Sequence, residues 1–275
     1  MKKNTVLILF LFSFYLNIQS QSKTGEIHYG EVQSLGIGGL AGYDYRALLV
    51  FNAESSLYTT RKDSLEKKPI RGKKIDATNT TTGGTIFSAS TSPVGLLYIL
   101  DRKKDSVFSK DFAFLYLAED IPLIQWKIID ETKEIGTFTA QKATAAFRGR
   151  DYTAWFTSEI PLPYGPWKLQ GLPGMILEAY DKNKEIYWYF KAINYPCDDC
   201  EKFLKPIQKP ADEEWINFEE YKSKLISFHK NTLTRSKIFI ENMANKELKT
   251  HVTVPEFNMS STYIEVFEDP NKNKK

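Results

Sequence analysis

The sequence has few of the residues on which most catalytic and metal sites depend. Its 275 residues include two cysteines and three histidines, and His28, His229 and His251 stand far apart. A zinc site needs three or four such ligands close together. The sequence also lacks the nucleophile turn Gly-x-Ser-x-Gly, the P-loop, His-Glu-x-x-His and the dinucleotide-binding fingerprint. We therefore expect no cofactor and no metal, and a non-enzymatic role is favoured over an enzymatic one.

An excess of one charge is missing as well. Lys and Arg total 37 against 34 Asp and Glu, and removal of residues 1–20, which contain Lys2 and Lys3, lowers the basic total to 35. Nucleic-acid-binding domains usually carry a basic excess, so we expect no nucleic-acid partner. After the N-terminus there is no apolar run of about 20 residues, the length of a membrane-spanning helix. The sequence thus predicts no transmembrane span after signal cleavage.

The N-terminus has the organisation of a secretory signal peptide. Lys2 and Lys3 precede an apolar run over residues 6–16, and a polar stretch follows. We predict a signal peptide at residues 1–20, cleaved after Ser20 or, alternatively, after Ser22. An uncleaved membrane anchor is the competing interpretation. The mature protein is expected in the periplasm, in the cell envelope or outside the cell.

The remainder, residues 21–275, is predicted to form a single β-rich domain. Short segments of alternating polarity follow one another up to residue 195, with polar turns predicted at residues 52–56, 101–105 and 130–133 and at Gly149. Residues 71–85, rich in Thr, Gly and Asn, are predicted to form a loop. The fold class is mainly β with one long C-terminal helix (α+β), as a curved antiparallel sheet or half-barrel of meander topology.

The single helix is predicted between residues 212 and 243. Asn217 followed by Glu220 resembles a capping box, and apolar residues then recur at spacings of three and four. Residues 238–240 also suit a strand. We expect this helix to pack on the sheet and close it.

Two strands carry large aromatic residues on both faces. Trp155 lies on an otherwise polar face, and Tyr187 and Tyr189 oppose Trp188 and Phe190. An exposed tryptophan on a sheet needs cover, so Trp155 is expected either beneath the helix or the following loop or in a binding groove.

That loop contains the segment GPWKLQGLPGMIL, whose glycines and prolines indicate a fixed conformation. Leu172, Pro173 and Gly174 fit a type II turn with a positive φ at Gly174. In one interpretation the loop is a plug, in which Trp167 and Leu172 fill the mouth of the half-barrel. In the other it forms a rigid lip for a ligand or partner.

Residues 141–181 resemble the signature of the GLPGLI family of exported proteins, found largely in Bacteroidota. The elements Gly-Arg, Ala-Trp-Phe-Thr, Ile-Pro, Gly-Pro and Gly-Leu-Pro-Gly occur in order, with Met175 where the family name has leucine. The resemblance implies location more than activity, since the family has no established function. It also implies a role as an envelope accessory protein, sometimes linked with outer-membrane receptors.

Cys197 and Cys200 form a Cys-x-x-Cys pair, for which three roles are open: a disulfide, a redox centre or half of a zinc site. The preceding proline and the acidic residues between the cysteines disfavour a redox thiolate. In an exported protein the expected state is a disulfide.

Two functional hypotheses follow. The first is a protein that binds an apolar small molecule or an envelope protein partner without catalysis. Its predicted binding residues are Trp155, Gly165, Pro166, Trp167, Gly171, Leu172, Pro173, Gly174, Tyr187 and Trp188. The second is a hydrolase with a carboxylate site in the region of residues 148–178, which contains Arg148, Arg150, Glu159, Lys168 and Glu178.

Overall fold

The structure, a computed structural model, describes residues 24–36, 39–76, 86–111, 115–247 and 259–268. The predicted signal peptide and both predicted cleavage positions lie outside these ranges. Among the helices of the described residues, none combines the length and apolarity needed to cross a membrane.

The described residues form fourteen strands, one long helix and two short 3-10 turns. The strands are β1 (Gly25–Gln33), β2 (Tyr43–Phe51), β3 (Ser55–Thr60), β4 (Lys73–Asp76), β5 (Ile86–Ala89), β6 (Leu96–Asp101), β7 (Ser106–Lys110), β8 (Tyr116–Asp120), β9 (Lys127–Ile135), β10 (Phe138–Phe147), β11 (Arg150–Thr157), β12 (Met175–Asp181), β13 (Ile186–Asn194) and β14 (Trp215–Ile216). The helix α1 is Phe218–Glu247, and the 3-10 turns are Cys200–Phe203 and Met259–Ser261.

Twelve of the strands form one open sheet in the order β14-β8-β7-β6-β3-β2-β1-β13-β12-β11-β10-β9, and β4 pairs with β5 separately. All described pairings in the large sheet are antiparallel except that of β14 with β8. The predicted mainly β fold with a curved antiparallel sheet is confirmed, and β9 and β14 remain as edges. Apart from β14, the sheet consists of two meanders. The first contains β1, β2, β3, β6, β7 and β8, the second contains β9 to β13, and they are joined because β1 pairs with β13.

Two local predictions are wrong. The turn predicted at residues 130–133 does not exist, because β9 continues to Ile135 and the chain turns at Gly136, where φ is +62°. The polar residues that suggested a turn lie on an edge strand, where charged side chains are common because they discourage pairing with other chains. The loop predicted at residues 71–85 contains strand β4, and residues 77–85 lie outside the described residues.

The face of the sheet that carries the main core, called the inner face here, is filled by side chains from both meanders. Ile27, Tyr29 and Leu49 are fully buried there, as strand alternation requires. Residues 158–174, called the signature loop here, belong to the same core through Tyr164, Trp167, Leu169 and Leu172. The opposite side of the sheet is called the outer face.

Helix α1 packs through its N-terminal part. The Asn217 side chain accepts a hydrogen bond from the Glu220 backbone N–H at 2.9 Å, as expected of a helix cap. Tyr221 and Leu225 are buried against Leu117 of β8 in a second core cluster. From there to residue 235 no side chain is buried, and Phe228 is 55% exposed. Over residues 218–235 the helix therefore packs on one end of the sheet only.

Candidate functional site

The signature region begins at the β10–β11 hairpin, whose turn is formed by Arg148 and Gly149. Their φ values are +50° and +77°, the pair of positive angles typical of a two-residue type I′ turn. Residues 259–268, called the C-terminal strap here, lie directly on this turn. The Val266 N–H donates to the Arg148 carbonyl at 2.9 Å, and a Cβ at Gly149 would lie 2.3 Å from the Val266 carbonyl oxygen. Gly149 therefore serves both the turn and the close approach of the strap.

Arg150 holds the strap from the inner face. Its guanidinium is 5% exposed and pairs with Asp181 at 3.0 Å and Glu185 at 3.4 Å. The same group donates to the backbone carbonyls of Tyr263 at 2.8 Å and Ile264 at 3.0 Å, and also to that of Ser260. A guanidinium supplies five donors in a fixed fork, so one side chain can serve two carboxylates and several carbonyls.

Lys168 of the signature loop makes a second buried ionic contact with the strap. Its side chain is fully buried, and its ammonium lies 2.7 Å from both Glu119 of β8 and Glu265 of the strap. Burial alone lowers the pKa of Lys168, but Glu265, Glu119 and Asp111 outweigh this effect and raise the pKa above its ordinary value. Lys168 is therefore a permanent buried cation at neutral pH.

Among the described residues, the carboxylates near this lysine adjoin a cavity that is too small for a substrate. The adjoining cavity has a volume of about 20 Å³ and is lined in part by Tyr98, Asp111, Tyr221 and Glu265. A cavity of this size holds a single water molecule at most. The Tyr221 hydroxyl donates to Asp111, and burial, assisted by the charges of Glu265 and Asp111, raises the pKa of Tyr221 well above its usual range.

The two other candidate carboxylates of the signature are engaged as well. Glu178 accepts a hydrogen bond from the Lys133 ammonium at 2.8 Å, and Glu159 accepts one from the Thr139 backbone N–H at 3.1 Å. The hydrolase hypothesis needs an acid–base pair facing an open cleft. Arg148, Arg150 and Lys168 instead form buried contacts that join the hairpin and the signature loop to β8 and the strap. The hydrolase hypothesis stays a prediction.

The structure places the predicted loop residues mainly inside the core. Gly165, Pro166, Trp167, Leu172 and Gly174 are buried, whereas Gly171 and Pro173 are exposed. The Trp167 ring stacks on Trp188 of the inner face with a centroid distance of 6.0 Å. This burial favours the plug interpretation, and contact of these residues with a ligand stays a prediction.

The predicted type II turn is wrong in its assignment of the glycines. In this segment φ is positive at Trp167 (+56°) and Gly171 (+92°) and not at Gly174. Gly174 is required for a different reason: a Cβ there would lie 2.1 Å from the Thr157 carbonyl oxygen. Backbone conformation thus requires glycine at position 171, and close packing of two chain segments requires it at position 174.

The aromatic residues of β11 and β13 lie on both faces of the sheet, as predicted. Trp188 is fully buried on the inner face and donates to the Glu31 carboxylate at 3.0 Å. The expected burial of Trp155 is confirmed, at 5% exposure. Its ring lies 4.4 Å from the Lys133 ammonium and 5.6 Å from that of Lys142. Two lysine side chains thus provide cover where a helix or the loop was expected.

Tyr187 and Tyr189 lie partly exposed on the outer face, with ring centroids 5.3 Å apart. Burial, followed by the charge of Glu178, raises the pKa of Tyr187 to about 12. The Tyr189 hydroxyl donates to Asp44 at 2.6 Å. The binding role predicted for Tyr187 is not tested by these contacts and stays a prediction.

The outer face carries a pocket of about 320 Å³ at β3, β6 and β7, which we call the outer-face pocket. Its lining residues are Ser55, Leu57, Ile99, Asp101, Lys104, Phe108, Leu204, Lys205, Pro206, Ile207 and Trp215. Leu57, Ile99 and Phe108 form its floor because they occupy paired outward positions on adjacent strands. The Trp215 ring meets the Phe108 ring edge-on, with a centroid distance of 5.3 Å.

The wall of this pocket begins just after the cysteine pair. Cys197 and Cys200 are disulfide-bonded, as predicted, and their Cα atoms lie 5.6 Å apart. The Cys197 N–H donates to the Thr24 carbonyl at 2.8 Å, so the disulfide loop is attached beside β1. Leu204, Pro206 and Ile207 follow within a few residues. Glu26 lies within 4.8 Å of both sulfurs, but bonded sulfurs are not metal-binding thiolates.

Sequence reasoning did not identify the outer-face pocket. A usable signal was present, because β3 and β6 have apolar residues facing both ways: Leu57 opposes Tyr58, and Ile99 opposes Tyr98 and Leu100. Such strands need cover on both faces. The segment that provides the cover lies about a hundred residues farther along the chain, and no local pattern connects it to these strands.

The signature region matches a known family model. Residues 148–178 match the model of a family described as "Protein of unknown function (Porph_ging)". The match lies within the segment that carries the GLPGLI resemblance and is consistent with it, but does not bear that name. No curated protein matches the chain.

Two solved structures resemble the chain at low identity. The first, described as "Structure of PNGF-II in P21 space group", is 14% identical, with a TM-score of 0.46 over 74% of this chain and 33% of that chain. The second, "Structure of PNGF-II in C2 space group", is 14% identical, with a TM-score of 0.45 over 73% and 32%. This chain therefore spans about a third of the length of those structures. The likeness is too weak to support a functional argument, and the family match covers the signature region alone.

Proposed function

We propose that this chain is an exported cell-envelope protein that binds an apolar small molecule in the outer-face pocket and does not act on it chemically. Export is supported by the predicted signal peptide at residues 1–20. It is also supported by the disulfide between Cys197 and Cys200, since disulfides persist mainly in oxidising compartments.

The observation that carries the binding proposal is the outer-face pocket itself. Ligand sites are usually concave, mostly apolar and at least about 300 Å³ in volume, and this pocket, at about 320 Å³, is at the lower end of that range. Its floor is the sheet, which is held by strand pairing, and its wall follows the disulfide loop, which a hydrogen bond from the Cys197 N–H to the Thr24 carbonyl attaches beside β1. Such a site is largely preformed, which reduces the entropy lost on binding.

A protein partner at the same place is a second candidate. Phe203, which is 47% exposed, and Trp215, which is 36% exposed, are large apolar side chains beside the pocket. Aromatic residues are enriched in protein interfaces, where they fill pockets on the partner. An envelope protein, such as a receptor component, would use this rim together with the pocket.

Binding is tested by fluorescence titration of the purified chain with N-phenyl-1-naphthylamine, a neutral apolar probe. We expect saturable binding with one probe per chain. The variant Ile99→Trp fills the pocket from its floor and should reduce the affinity at least tenfold.

The matched control is Phe203→Ala, which removes an exposed aromatic side chain near the pocket that does not line it. This variant should retain the affinity of the parent. Equal binding by the parent and Ile99→Trp, with unchanged thermal melts, would show that the probe binds elsewhere and would overturn the proposal. Loss of binding in Phe203→Ala alone would favour the exposed rim, and with it the protein-partner candidate.

A further inference from the structure

We infer that the ligand of the outer-face pocket is an amphipathic anion, with an apolar body of about ten carbon atoms and a single carboxylate at one end. This inference rests on the proposed function and specifies the class of ligand. Two features of the pocket support it: the charges at its rim and the shape of its apolar floor.

The rim of the pocket carries a net positive charge. Its ionisable lining residues are Asp101, Lys104 and Lys205, that is, two cations and one anion. A neutral apolar ligand would gain nothing from this arrangement. A ligand with one negative charge would neutralise it.

The charge of Asp101 is already compensated within its own turn. One carboxylate oxygen accepts hydrogen bonds from the backbone N–H groups of Lys103 at 3.1 Å and Lys104 at 3.2 Å. The other oxygen lies 3.1 Å from the Lys104 ammonium. Asp101 is thus occupied on both oxygens and does not need a cationic ligand.

Lys205 supplies the cation that remains. In the described parts of the chain no carboxylate lies within 4.0 Å of its ammonium, unlike that of Lys104. Lys205 follows Leu204 and precedes Pro206, which are both wall residues, so its charge stands at the edge of the apolar space. A carboxylate at this edge would gain an ion pair without being buried, which avoids the large cost of desolvating a charge.

The floor suits an apolar body that lies along the sheet. Leu57, Ile99 and Phe108 are adjacent across three strands. Trp215 covers the far side, with its ring centroid 5.3 Å from that of Phe108. The volume of about 320 Å³ is equivalent to roughly ten water molecules of about 30 Å³ each. A saturated chain of about that many carbons fills it, and each buried CH₂ group should raise the affinity about fourfold.

The test compares three ligands of equal chain length by isothermal titration calorimetry, each below its micelle concentration. These are decanoate, 1-decanol and decylammonium. Decanoate should bind about tenfold more tightly than decanol, and decylammonium should bind most weakly. The preference for decanoate should decrease as salt is added, because ion pairs at a pocket rim are screened.

One substitution and a matched control identify the charged partner. Lys205→Gln should weaken decanoate binding about five- to tenfold and leave decanol binding unchanged. Lys103→Gln is the control: the Lys103 side chain is 68% exposed, the same as that of Lys104, and it pairs with Glu54 outside the pocket. Its decanoate affinity should change less than twofold.

The possible results separate this inference from the proposed function. If decanol binds as tightly as decanoate in the parent, the pocket takes neutral apolar ligands, so the anion inference fails and the binding proposal stands. If decylammonium binds most tightly, Asp101 dominates the rim and the inference also fails. If none of the three ligands binds and the neutral probe does not bind either, the proposed function fails with it.

Discussion

The two faces of the large sheet are covered in different ways. On the inner face, the signature loop and the C-terminal strap are fixed by buried charges, as with Arg150 between Asp181 and Glu185 and with Lys168 between Glu119 and Glu265. On the outer face, the cover between Leu204 and Trp215 leaves an apolar pocket of about 320 Å³.

The recognisable signature and the space for a ligand thus lie in different parts of the chain. Arg148, Gly149, Arg150 and Lys168 all belong to residues 148–178, and each is linked to the strap, either directly or through Glu119. The signature residues therefore join the β10–β11 hairpin and the signature loop to the C-terminal strap. The outer-face pocket, which carries the proposed function, has no lining residue within residues 148–178.

The largest expected effect on the inner face is alkaline unfolding. Burial raises the pKa of Tyr29, Tyr58, Tyr98 and Tyr152 far above the ordinary value, and the pKa of Lys168 is raised as well. A raised folded-state pKa gives stability that is present below the unfolded pKa, near 10, and is lost above it. Above about pH 10, each fully buried tyrosine should then lower the free energy of unfolding by about 1.4 kcal/mol per pH unit.

Urea unfolding between pH 7 and 11 tests this prediction. The midpoint should be nearly constant up to about pH 9.5 and should then fall steeply. Tyr98→Phe should reduce the slope, since it removes one buried titrating hydroxyl. A midpoint that remains constant up to pH 11 would contradict the buried positions of these tyrosines.

The next effect in size concerns Arg150. Arg150→Met removes the partner of two buried carboxylates and frees the strap carbonyls, and we expect a loss of about 3–5 kcal/mol in the free energy of unfolding. The measurement is equilibrium urea denaturation. Lys103→Met, which breaks the exposed pair with Glu54, is the control and should change the midpoint little. Similar losses in both variants would mean that Arg150 is not the strap's anchor.

A smaller effect distinguishes the two glycines of the signature loop. Gly174→Ala places a Cβ against the Thr157 carbonyl oxygen and should cost about 3 kcal/mol. Gly171→Ala meets no atom within 4 Å but must adopt a φ of +92°, which should cost about 1 kcal/mol. Thermal melts of both variants are the measurement.

Asparagine provides the control, because it tolerates positive φ better than alanine. Gly171→Asn should be more stable than Gly171→Ala, whereas Gly174→Asn should be at least as destabilised as Gly174→Ala. If asparagine improves stability at position 174 instead, the roles assigned to the two glycines are reversed.

The smallest effect on stability is expected on the outer face. Trp215 is 36% exposed, so Trp215→Ala should lower the free energy of unfolding by about 1 kcal/mol or less while weakening binding of the apolar probe strongly. Parallel melts and titrations check both parts. A large loss of stability with intact probe binding would assign Trp215 to the core rather than to the pocket.

Much of the fold could be predicted because the relevant interactions are local. The alternation in β10 and β11, the glycine at the Arg148–Gly149 turn and the cap at Asn217 each depend on a few neighbouring residues. The same local logic failed at residues 130–133, where charges suited to an edge strand were interpreted as a turn. Edge position is a property of the whole sheet, so a sequence window cannot reveal it.

By itself the sequence determined the class of the fold, most strands of the two meanders, the expected disulfide and a loop of restricted conformation. Only the tertiary structure decided that β1 pairs with β13, that Lys168 meets Glu119 and Glu265, and that Leu57, Phe108 and Trp215 enclose one pocket. The physical reason is that backbone preferences act over a few residues. Contacts between distant segments depend instead on which packing arrangement buries the most apolar surface and pairs the most buried charges.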